Sequence, residues 1–165
     1  MTEELNQALD NTETVYRNVV EIANKIVANA TSEIDVLIKE AMDNVDNLTT
    51  EAIRTLLMKL SLLSFTFSDI KEKSALKAEC AETLRKEAYA MAFNSSEGSV
   101  AAKDNQATII ISKETMVESI YNMVASLFKT KADEVHRVVD ALKSVLMSRM
   151  AEAKLTATMY EGEGQ

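Results

Sequence analysis

The chain has 165 residues, of which 47% are apolar and 27% charged, with no proline, no tryptophan and three glycines. That size suits one domain, or one domain with an arm, and the scarcity of turn-making residues excludes an all-β or α/β chain. The formal net charge of −8 is unevenly placed: residues 1–51 hold 11 acids against 3 bases, while residues 52–165 hold 15 of each. Acid gathered in the first third leaves a nucleic-acid partner open without arguing for one.

Met1 to about Asn11 is polar and acidic and reads as a frayed arm. From there Val20, Ala23, Val27, Ala30, Ile34, Leu37, Ala41, Asn44 and Leu48 recur at alternating steps of three and four. That is one helix face packed against another, and it predicts a helix over roughly 13–48. Thr31-Ser32 is a possible break, with Ser32 as a new cap and Asp35 three residues on. Asn44 is either a polar seam residue or an exposed one.

Thr49-Thr50-Glu51 is the turn into a second series: Ile53, Leu57, Leu60, Ser64 and Phe67, flanked by Leu56, Leu63 and Ile70. So short a connection makes neighbouring helices antiparallel. Beyond Ile70 the apolar positions become small: Ala75, Ala78, Ala81, Ala88, Ala90 and Ala92. Cys80, the sole cysteine, rules out an intramolecular disulfide and reads as a small buried thiol.

Residues 94–113 form a connector longer than the two to eight residues usual in bundles. Asn94-Ser95-Ser96 stops the second helix, Gly98 permits positive φ, and Ser99 caps a short helix over Val100–Ala107. Thr108-Ile109-Ile110-Ile111 is a β-branched run that reads as a short extended segment. Its isoleucines would seat in a groove or pair with a neighbouring subunit, so Ile109, Ile110 and Ile111 are candidate oligomer or partner contacts.

A third series starts at Ser112 or Glu114: Val117, Tyr121, Val124, Phe128, Lys131, Val135, Val138, Leu142, Val145 and Arg149, ending near Leu155. Residues 156–165, closing on EGEGQ, read as a disordered tail. The arms 52–93 and 114–155 come out equal, at roughly 63 Å by the 1.5 Å rise per residue. The expected fold is therefore all-α: an elongated antiparallel long-helix hairpin over 51–155, with an additional acidic N-terminal helical segment over 1–50. It would be a coiled-coil-like bundle that forms homo-oligomers, because faces so long are not buried within one small chain.

Catalytic signatures are missing. His136 is the only histidine, and Asp133-x-x-His136 is a single poor copy of the paired motif that a di-metal carboxylate bundle needs. The run Asp43-Asn44-Val45-Asp46-Asn47 lacks the central glycine of a calcium loop. No enzyme, metal, cofactor or small-molecule substrate is expected. With no apolar run near twenty residues and no leader pattern, no membrane is expected either, and the cytoplasm is the expected compartment.

The positive signal is local. Lys71, Lys73, Lys77, Arg85 and Lys86, followed by Tyr89 and Phe93 and then Lys103, combine bases with aromatics near a loop. Such a set can hold single-stranded nucleic acid by phosphate pairing and base stacking. It is equally the pattern of a solvated helix face, with Asp69–Lys73 and Glu82–Lys86 as i,i+4 ion pairs.

SALKAE, SSEGSVAAKDNQA and VVDALKS (Val138–Ser144) set a long charged helix, a Ser/Gly turn, a short Ala-containing segment and a second long helix in order. In that layout residues 70–155 resemble the UvsY-type recombination mediators of bacteriophages. The resemblance implies a ring-like oligomer in the cytoplasm of a host bacterium. It would bind single-stranded DNA and help to load a recombinase. Two alternatives stand beside it: a coiled-coil structural or adaptor protein, and an acidic phage inhibitor that occupies a host protein's nucleic-acid groove.

Overall fold

Strong helix formers and the absence of proline let each helix run until a capping signal stops it. In a computed structural model the order is α1 (Glu3–Asn44), α2 (Thr50–Ser95), α3 (Val100–Ile110) and α4 (Ser112–Gly162). The structure describes residues 3–45 and 47–162, and their side-chain environment over 12–45 and 47–156. Asp46 of the calcium-like run and the final residues of the expected tail, 163–165, lie outside this range. The helices pack against one another as an all-α bundle, and no strand occurs among the described residues.

Several boundaries differ from expectation. α1 passes unbroken through Thr31-Ser32 and begins at Glu3, so the polar stretch up to Asn11 is helical. It ends at Asn44, whose carbonyl accepts from the backbone of Asn47 at 2.8 Å and of Leu48 at 3.0 Å. Asn44 itself is exposed. Thr49 then caps α2: its hydroxyl accepts from Ala52 N at 3.1 Å, which satisfies an orphan donor of the first turn. α2 and α4 span 46 and 51 residues and are not equal arms. α4 continues past Leu155 to Gly162.

The connector is mostly helix. Gly98 takes φ +107°, where a side chain is strained, and Ser99 caps α3 by accepting from Ala102 N at 3.3 Å. The expected extended segment is instead the last turn of α3. Ile111 closes it, its N–H donating to Ala107 O at 3.0 Å. No strand among the described residues lies alongside to pair with, so helical hydrogen bonds override the β preference of Thr108–Ile111. Only Ile111 seats in a groove, whereas Ile109 and Ile110 face outward.

Two compact units divide the chain: residues 1–30 with 69–129, and residues 31–68 with 130–165. In the second unit the buried side chains are large. Ile34, Leu37, Ile38 and Ala41 of α1 join Ile53, Leu56, Leu60 and Phe67 of α2 and Val135, Val139 and Leu142 of α4. A polar layer interrupts them. Thr31 is only 1% exposed and donates its hydroxyl to Asp35 Oδ2 at 2.8 Å. Lys131 Nζ meets Asp35 at 2.9 Å and Glu134 at 2.5 Å. Burial pulls the Lys131 pKa down, but its hydrogen bonds and charge pairing with Glu134 and Asp35 outweigh that and raise it above the usual lysine value. In the same unit Arg149 Nη2 donates to Val45 O at 3.1 Å and Nη1 donates to Leu48 O, so α4 holds the carbonyls just past the end of α1.

In the first unit the buried positions on α2 are small: Ser74, Ala78, Ala81 and Ala92. Val19, Ala23 and Val27 of α1, Ser96 beyond α2, and Val124 and Phe128 of α4 are buried in the same unit. Ala92, Ala107 and Ile111 form a separate small core beneath α3, with Ala88, Tyr89 and Phe93 packed against it.

Candidate functional site

All eight candidate strand-contacting residues lie in the first unit, seven on α2 and Lys103 on α3. A helix advances about 100° per residue, which places them around its circumference. Lys77 lies about 40° from Lys73, while Lys71, Arg85, Lys86, Tyr89 and Phe93 all lie about 120–160° away. The buried row of Ser74, Ala78, Ala81 and Ala92 runs between the two groups. The structure therefore does not gather the eight side chains onto one surface.

Several are already engaged. Lys73 pairs with Asp69 at 2.6 Å and Lys86 with Glu82 at 2.5 Å, both exposed i,i+4 contacts of small energetic weight. The hydrogen bond and then the charge of Lys86 lower the Glu82 pKa. Arg85 forms a half-buried ion pair with Glu118 of α4. The Nε–H is not aimed along a hydrogen-bond direction, so this is charge contact more than directed bonding. Lys71, Lys77 and Lys103 make no ion pair among the described residues.

The two aromatics stack on each other, with ring centroids 6.0 Å apart and planes inclined by 26°. Both are half-buried against α3, and the Tyr89 hydroxyl donates to Asp104 Oδ1 at 2.5 Å. That hydrogen bond, then burial and the carboxylate charge, push the Tyr89 pKa above its usual value. The folded state holds the phenolic proton more tightly. Its contribution to stability is complete below about pH 10 and is lost as pH rises through the raised value. With Tyr16, Tyr121 and Tyr160 replaced by Phe, an ultraviolet titration should place the Tyr89 midpoint above that of a free tyrosine. Asp104→Asn should lower it; an unchanged midpoint would remove Asp104 as the cause.

A cleft of about 320 Å³ opens between α2 and the start of α4, with Ala81, Leu84, Val117 and Tyr121 as its apolar walls. Lys77, Lys113 and Glu114 also line it, as does Cys80, which is exposed and not the buried thiol expected from its neighbour Ala81. Lys113 carries no signal in the sequence, because it sits at the end of the 94–113 connector, apart from the other bases. Nor do Asp104 and Glu118, whose partners are distant in sequence and become visible only once α3 and α4 are placed.

The fold and these side chains define an all-α helix bundle whose surface mixes paired charges with exposed apolar residues. No protein-family model, no curated protein and no solved structure matches the chain.

Proposed function

We propose that this protein works by contact with other proteins, as a non-enzymatic helical adaptor. The observation that carries this reading is the contrast on its surface. Arg85, Lys73 and Lys86 are matched by acids of the same chain, while large apolar side chains stay open at helical spacing. On α1 these are Val15, Ile22 and Ile26, which share one side of the helix next to the buried row Val19, Ala23 and Val27. A second apolar row beside a packed one is what a helix needs to receive a further helix.

A photo-crosslinking residue in place of Ile22, in the full chain in its native cells, should yield a discrete protein adduct. Val15→Glu with Ile26→Glu should abolish it without loss of helicity. An adduct indifferent to those charges, or adducts to nucleic acid alone, would overturn the adaptor reading.

A second reading, a single-strand-binding recombination mediator, is favoured by one observation: Lys71, Lys77 and Lys103 keep their charges free of ion pairs among the described residues. A homo-oligomer, single-stranded DNA and a recombinase are the partners it carries, in a bacterial cytoplasm. Affinity for a labelled oligonucleotide should then fall steeply with salt, as phosphate contacts release counterions. Lys73→Glu with Lys77→Glu should weaken it further. No binding at low salt would remove this reading and leave the adaptor.

A further inference from the structure

The second unit carries an exposed row of its own on α2. Met58 is 61% exposed, Leu62 62% and Phe65 78%, and their spacing of four and three residues puts them on one side of the helix. None of the three belongs to the core, whose contacts on this helix are Ile53, Leu56, Leu60 and Phe67. Together they expose on the order of 400 Å² of apolar surface, the scale at which a patch marks an interaction site. No charged residue occurs between Lys59 and Asp69.

We infer that this row is the contact surface for a second copy of the chain, packed antiparallel about a two-fold axis beside Leu62. The pattern is self-complementary in that sense. Met58 and Phe65 lie about one turn to either side of Leu62, so reversing the direction sets each Met58 thioether against the partner's Phe65 ring, a favourable pairing. The two Leu62 side chains meet at the axis.

Charge selects the same arrangement. A chain of net charge −8 repels its copy, so contact is least costly over a surface without charges. A parallel pairing would set Lys59 beside its own copy and Arg54 beside its own, and the antiparallel one separates them. The three side chains of two copies remove about 800 Å² from water. With the flanking helix surface this reaches the lower range of specific interfaces, about 1,200 Å².

The inference rests on the adaptor reading only in supposing that the protein acts through apolar helix faces, and it uses a different helix. Light scattering after gel filtration of the full chain should give twice the chain mass, with dissociation on dilution. Leu62→Glu with Phe65→Glu should give a monomer of unchanged helicity. In a Cys80→Ser background, Leu62→Cys should form a disulfide-linked dimer on mild oxidation, and Met147→Cys, more exposed still on α4, should not. A monomeric wild type overturns the inference, as does a dimer that survives the glutamates. Should the glutamates cost helicity, the cysteine comparison decides, and equal crosslinking at Leu62→Cys and Met147→Cys overturns it. A monomer that still gives the Ile22 adduct would leave the adaptor reading standing.

Discussion

Phe67→Ala is expected to lower the unfolding free energy by about 3–5 kcal/mol, the range for deleting a fully buried aromatic ring. Phe67 is 2% exposed and among the largest fully buried side chains. Deleting the ring loses its transfer free energy and leaves a cavity, because close-packed surroundings relax only in part. Urea denaturation followed by circular dichroism measures the loss. Met147→Ala is the matched control in the same unit: that side chain is 74% exposed, and the change should stay within about 0.5 kcal/mol. Equal effects at the two sites would show that Phe67 is not a core residue.

Arg149→Ala is expected to cost about 2–3 kcal/mol, because hydrogen bonds to a charged donor are worth about 1.5–3 kcal/mol and two carbonyls lose theirs together. The guanidinium reaches across from α4 to Val45 and Leu48, carbonyls past the end of α1 that no helical N–H can satisfy. Its positive charge also suits the negative end of the α1 dipole. Arg149→Lys keeps the charge but replaces a planar fork with a point donor, so it should recover only part of the loss. Hydrogen exchange should localise the effect, with Asn47 and Leu48 amides losing protection first. Unchanged protection there would show that Arg149 acts elsewhere.

The long seams were legible because their period is long and regular. Val124, Phe128, Val135 and Leu142 are buried where the third series puts them, and Ile53, Leu60 and Phe67 where the second does. Gly98 and Ser99 were legible because positive φ and helix capping each demand particular residues. Thr31 was not. The period ran through Ala30, which is exposed, and a hydroxyl looked like a break. It enters the core because Asp35 accepts its proton, and that partnership needs the folded backbone to be seen. Thr108–Ile111 was misread because intrinsic β preference carries little weight without a neighbouring strand. The site was least legible of all. Side-chain type placed lysines and aromatics near one another in sequence, but helical rotation set them on different sides of α2. Tyr89 and Arg85 found partners on α3 and α4 that no local pattern announces.

The layer of Thr31, Asp35, Lys131 and Glu134 bears on how the chain avoids folding traps. Apolar seams of alternating three and four resemble themselves one heptad along, so two such helices can zip together out of step with little loss of burial. Here a displacement of seven residues would carry Lys131 about 10 Å from Asp35. The ammonium would keep Glu134 of its own helix but lose Asp35, its cross-helix carboxylate, and a half-buried lysine deprived of one partner is less well satisfied. Only the aligned arrangement gives Lys131 both carboxylates. A single lysine thus makes a repetitive hydrophobic pattern uneven enough to favour one pairing.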